Sequence, residues 1–154
     1  MNNLNRIFSA VLLLVLLMGN SGFQWKEDAP DLALLPDLKV MAINVDGSNP
    51  CYGDALNSVK VTLFNAGQAS TKPGVPVSLR IDPLRATYRE TLKLVLAPNT
   101  FKTVIFKRVK FRPGDNRITA IVNAGKKHQE TNYQNNGKTI STKVTTDCDA
   151  VLQF

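Results

Sequence analysis

From Asp37 onward, apolar and polar side chains alternate with a period of two. Val59, Val61 and Leu63 alternate with Lys60, Thr62 and Phe64. Val77, Leu79 and Ile81 alternate with Ser78, Arg80 and Asp82. The same rhythm runs through Leu92, Leu94 and Leu96, through Ile118, Ala120 and Val122, and through Ile140, Thr142 and Val144. With segments 38–45 and 102–109 added, the pattern predicts seven strands, because a strand points successive side chains to opposite faces. Gly, Pro, Asn and Asp punctuate the gaps, as in Asp46-Gly47-Ser48-Asn49-Pro50, Asp82-Pro83 and Arg112-Pro113-Gly114-Asp115. These residues break strands or tolerate left-handed turns. No stretch shows a sustained helical stripe. Seven short strands, each with one apolar face, predict an all-β, antiparallel sandwich.

A different pattern precedes this one. Arg6 is followed by an apolar run over residues 7–18, interrupted only by Ser9, then by Gly19, Asn20, Ser21 and Gly22. A positive end, a short apolar run and a small-residue exit predict a secretory signal peptide over 1–21, cut near Ser21–Gly22. The run is too short to cross a bilayer, which takes about 20 apolar residues. No Cys follows it closely, so the thiol of a lipoprotein anchor is missing. The membrane is met only through this leader, before cleavage, and the chain is expected to be exported, periplasmic or extracellular. Residues 22–36, with Trp25, Pro30 and Pro36, read as a tether, and 37–154 as one domain.

Composition agrees with a folded exported domain. Charged residues make up 20% and hydrophobic residues 44%, a globular balance rather than a disordered one. Cys51 and Cys148 are the two cysteines. Outside the cytoplasm an isolated pair is most simply a disulfide. Closing a loop of about 100 residues is worth about 4–5 kcal/mol at most in the chain-entropy model.

Several pieces in order carry a resemblance. Pro36-Asp37-Leu38 opens the first strand, Asn65-x-Gly67 closes the second, and Leu96-x-Pro98 precedes the fifth. Gly114 opens a sixth strand ending in Val122-Asn123, followed by Glu130-x-Asn132-x-x-Asn135-Asn136. From about Pro36 to Thr145 the chain resembles a CARDB-type domain, a cell-adhesion-related domain found in bacteria. The resemblance implies a seven-stranded immunoglobulin-like β-sandwich without catalysis of its own. The chain departs from the family pattern at Asn99, where Gly is frequent, at Asn123, where Asp is frequent, and at Tyr133, where a second Glu is frequent. Two of these changes remove a carboxylate, which weakens the case for a bound cation.

Candidate chemistry is sparse. His128 is the single histidine and lies in the polar run Gly125-Lys126-Lys127-His128-Gln129-Glu130. A Ser-His-Asp or Cys-His site would depend on it, and a zinc site needs three or four N/S ligands. No catalytic, metal or cofactor site is therefore expected. Glu130, Asn132, Asn135 and Asn136 offer oxygen to calcium, but Asn side chains also build turns and Glu130 can accept backbone N–H bonds there. We expect that structural role.

Basic charge is the remaining signal. The chain carries 19 Lys+Arg against 12 Asp+Glu. Lys102, Lys107, Arg108, Lys110 and Arg112 crowd one predicted strand and its exit, with no carboxylate from Phe101 to Gly114. Lys102, Arg108, Lys110 and Arg112 share a parity, which suggests one face that attracts polyanions. Lysines also keep an edge strand from pairing with another chain. Without an aromatic ladder among the charges, nucleic acid is not expected. The expected function is a non-catalytic binding or adhesion module for an anionic glycan or polymer, or for a cell-envelope protein. The alternative is a structural or accessory subunit of a cell-envelope assembly.

Overall fold

The computed structural model describes residues 34–46 and 57–144. The predicted leader, Trp25, Cys51 and Cys148 lie outside the described residues. Seven strands follow in order: β1 Leu38–Val45, β2 Ser58–Asn65, β3 Val75–Asp82, β4 Ala86–Leu92, β5 Phe101–Lys107, β6 Gly114–Val122 and β7 Gly137–Val144. They form a three-stranded sheet, β1-β2-β5, and a four-stranded sheet, β4-β3-β6-β7, with every pairing antiparallel. This is the predicted immunoglobulin-like sandwich.

Period-two patterning places the core between the sheets. Val59, Val61 and Leu63 of β2 face Val77, Leu79 and Ile81 of β3 and Ile118, Ala120 and Val122 of β6 in one buried cluster. Val104 and Phe106 extend it from β5. Each such large apolar side chain is worth about 1.5–3 kcal/mol when fully buried.

Three departures from strict alternation have local causes. In β1 the register slips between Val40 and Ala42, so Met41 bulges outward and Ile43, three positions after Val40, returns to the core. An extra residue in one strand changes the phase in this way. The fourth strand is Ala86–Leu92, not the predicted segment around Leu92, Leu94 and Leu96. Leu92 and Leu96 are buried, but Leu94 between them is 61% exposed, so that segment lacks the two-residue rhythm. Leu96 is held instead by Thr71, whose Oγ1 accepts the Leu96 N–H at 2.9 Å and whose N–H donates to the Leu96 carbonyl at 3.0 Å. The fifth strand ends at Lys107, because Arg108 has a left-handed backbone (φ 57°).

Asn65 and Gly67 weld the start of β1 to the end of β2. Asn65 Oδ1 accepts the N–H groups of Asp37 and Gly67, both at 3.0 Å. Its Nδ2 donates to the carbonyls of Ala69 at 2.8 Å and Leu96 at 3.0 Å. A Cβ on Gly67 would stand 2.4 Å from Asp37 N and from Leu35 O. Leu35 and Pro36 are already bonded into the domain. The Leu35 carbonyl accepts the Gln68 N–H at 3.2 Å, and the Pro36 carbonyl accepts the Thr131 N–H at 3.0 Å.

Candidate functional site: a carboxyl–amide cluster and a basic sheet edge

The connection from β6 to β7 turns on residues that accept left-handed geometry. Asn123 (φ 51°), Gly125 (φ 84°) and Lys126 (φ 52°) reverse the chain as β6 ends. Asn tolerates this region better than most residues, and Gly adopts it freely. The Asn123 side chain then locks the turn: its Oδ1 accepts the His128 N–H at 3.0 Å and its Nδ2 donates to the His128 carbonyl at 2.7 Å.

This turn delivers Glu130 into the interior, where it is 4% exposed. Its Oε1 accepts from Asn123 Nδ2 and, at 2.8 Å, from Asn136 Nδ2. Its Oε2 accepts the N–H of Leu38 at 2.7 Å. Tyr133 completes the frame, its hydroxyl accepting the Glu130 N–H at 3.2 Å and donating to the His128 carbonyl at 3.1 Å. Nearby, Asp37 Oδ1 accepts from Asn135 Nδ2 at 2.8 Å, and Asp37 pairs with Lys39 at 3.3 Å. Burial raises the Glu130 pKa above its ordinary value and the Asp37 charge adds to this, while the bonds from Asn123, Leu38 and Asn136 oppose it. Of the other expected turn residues, Asn132 bonds the Gln134 N–H at 2.9 Å. The expected structural role is the one these contacts describe.

β5 is an edge strand, paired with β2 on one side. Lys102, Lys107, Arg108, Lys110 and Arg112 are all exposed. Their shared parity does not make one strand face. Lys102 has the inward register of Val104 and Phe106, at the open start of β5. After Arg108 the phase inverts, so Val109 and Phe111 turn inward and Lys110 and Arg112 outward. Arg108, Lys110 and Arg112 thus form one exposed run, while Lys102 stands about 20 Å from Arg108 along the strand, at about 3.3 Å per residue. The run is anchored through its backbone. The Lys110 N–H donates to Tyr88 Oη at 2.8 Å and the Arg112 N–H to the buried Asn116 Oδ1 at 3.1 Å. None of the three ion pairs among the described residues involves Lys102, Arg108, Lys110 or Arg112.

One feature of this edge escaped the sequence reading. The β2–β5 register sets Phe64 opposite Phe101, and their rings stack at 4.5 Å on the outer face of the three-stranded sheet. Phe101 is 55% exposed and Ile105 44%. The signal lay in Phe64 itself, an aromatic at an outward position between Thr62 and Asn65.

His128 lines a cleft of about 330 Å³ together with Leu34, Pro36, Lys72 and Lys127. Its Nε2 lies 3.3 Å from the Gly74 carbonyl. Among the described residues there is no group of three or more His, Cys, Asp and Glu that could hold a metal.

The CARDB family model matches residues 35–140, from the segment tied to Gln68 through β6 and into β7. The chain belongs to the CARDB family. CARDB domains are non-catalytic, adhesion-type β domains, and the two sheets described above have that architecture. Among solved structures, the chain is similar to the CARDB domain of the PF1109 protein from Pyrococcus furiosus, in complex with di-metal ions. The identity is 25%, the match covers 73% of this chain and 96% of that one, and the TM-score is 0.60. A domain (272–376) of a putative cell surface protein from Methanosarcina acetivorans shares the fold at 20% identity. That match covers 74% of this chain and 96% of that one, with a TM-score of 0.57. No curated protein matches the chain.

Proposed function

We propose that this CARDB domain is an exported binding module that holds an anionic surface polymer or glycan along the β5 edge. The observation that carries the reading is the exposed run Arg108, Lys110 and Arg112, without an ion pair among the described residues, within a segment free of carboxylates from Phe101 to Gly114. Arg presents a planar fork of donors that fits carboxylate and phosphate, and Lys adds a mobile point charge. Lys102 extends the positive potential to the far end of β5. The leader pattern and the cell-surface protein that shares this fold support an exported location.

A second reading rests on a separate observation. Phe101, Ile105 and Met41 are exposed at 55%, 44% and 43% on the three-stranded sheet. Such a face suits an accessory subunit docked on a larger envelope protein. Chromatography of the protein on an immobilised anionic polysaccharide separates the two. Polymer binding gives retention that falls with salt and is lost when Arg108, Lys110 and Arg112 become Glu. Docking on a protein gives no such retention and a stoichiometric complex from envelope extract.

A further inference from the structure

We infer that this domain closes the carboxyl cluster at Glu130 with its own amides and binds no divalent cation there, and that Asn123 is the residue that decides this. A cation site needs free oxygen lone pairs converging on one point. Here both Glu130 oxygens already face N–H donors: Oε1 faces Asn123 Nδ2 and Asn136 Nδ2, and Oε2 faces Leu38 N–H. Asp37 Oδ1 likewise faces Asn135 Nδ2.

The amides cannot simply turn over to offer oxygen. Asn123 is fixed by the backbone on both sides, its Oδ1 accepting the His128 N–H and its Nδ2 donating to the His128 carbonyl. Reversal would set oxygen against oxygen and N–H against N–H. Reversing Asn136 would set its Oδ1 against Glu130 Oε1 and the Val122 carbonyl, to which Nδ2 donates at 3.1 Å. The Oδ1 atoms of Asn135 and Asn136 are buried without a hydrogen-bond partner among the described residues, while the Nδ2 atom of each amide is the one bonded to a carboxyl group. Three amides therefore turn positive N–H edges toward the two carboxyl groups, and a cation would meet those edges first.

Asn123→Asp would replace the donor with a second carboxylate beside Glu130. Two close carboxylates repel, and a divalent cation relieves the repulsion. Tyr133, bonded to the Glu130 backbone, supplies a reporter because tyrosine sensitises terbium emission at short range. The experiment titrates terbium into the native protein and into Asn123→Asp, and measures thermal midpoints of both in calcium and in EDTA. The native protein is expected to show no saturable emission and the same midpoint in both buffers. Asn123→Asp is expected to gain saturable emission and to melt several degrees higher in calcium. If the variant does not fold in EDTA, refolding on calcium addition is the same result. Saturable emission from the native protein, or a higher midpoint in calcium, would overturn the inference. A folded Asn123→Asp variant indifferent to both ions would overturn the role given to Asn123.

Discussion

Glu130 accepts the backbone N–H of Leu38 at 2.7 Å, joining residues 92 positions apart. Leu38 opens β1 in one sheet, and Glu130 sits in the connection from β6 to β7 of the other. One buried carboxyl group thus ties the two sheets at one end of the sandwich. Lys138 Nζ, at the start of β7, repeats the tie by donating to the Met41 carbonyl at 2.6 Å.

This tie sets a pH dependence. The Glu130 pKa is raised above its ordinary 4.5, chiefly by burial, so the folded chain keeps this proton when the unfolded chain has lost it. The stability that Glu130 contributes is complete below about pH 4.5 and declines as pH rises through the folded pKa. Asp46 acts in the opposite sense. Its pKa is lowered by bonds from Lys60 and Ser58, so its contribution is present above its ordinary 3.8 and lost on acidification. Glu130→Gln sets an amide N–H against one of three donors and should cost about 1–3 kcal/mol. Urea midpoints measured against pH should also lose the decline above pH 4.5 in this variant. A native slope that persists in Glu130→Gln would assign it to another group.

Asn65→Ala should be severe. It strips the side-chain partner from the N–H groups of Asp37 and Gly67 and from the Ala69 carbonyl, and leaves the Leu96 carbonyl with the Thr71 N–H alone. Each buried group left unmet costs about 1–3 kcal/mol. Urea denaturation is expected to show most of the domain's stability lost. A midpoint near the native one would mean that these groups find other partners.

Gly67→Ala tests the neighbouring weld without touching a side-chain bond. Its Cβ would stand 2.4 Å from backbone atoms of Leu35 and Asp37, which cannot yield as a flexible side chain would. A loss of about 1–3 kcal/mol or more is expected, read from the same denaturation curves. Ala at Gly74, where a Cβ meets nothing within 4 Å, controls for backbone strain alone at φ 90°.

The sandwich was legible because β2, β3 and β6 are central strands whose inward faces are apolar at every second residue. The fourth strand was not. Ala86–Leu92 is mostly exposed and polar, and it is a strand because β3 offers it a ladder from Val75 to Ile81. Pairing of that kind leaves no apolar rhythm in the sequence. In the candidate site, the turn-building role of Glu130 and its Asn neighbours followed from residue type. The division of the basic run at Arg108 did not, because one left-handed residue inverts a parity that sequence spacing carries straight through.

The pairing of Cys51 with Cys148 remains a prediction with support from the strand directions. β1 and β7 both start at the Glu130 end and run away from it, so Val45 and Val144 lie at the same end of the sandwich. Native, non-reduced protein should titrate no free thiol. Cys51→Ser should lower the thermal midpoint by several degrees. Two titratable thiols in the native protein would reject the bond.

Retention of the native protein and of the Arg108→Glu, Lys110→Glu, Arg112→Glu triple variant on one immobilised anionic polysaccharide tests the proposed function most directly. Circular dichroism should first confirm that the variant keeps its β signature, as expected for three exposed side chains. Native retention should fall as salt shortens the screening length from about 10 Å at 0.1 M toward 3 Å at 1 M, and the variant should elute unretained. Equal retention of a folded variant and the native protein would contradict the account and reduce the basic run to a guarded sheet edge.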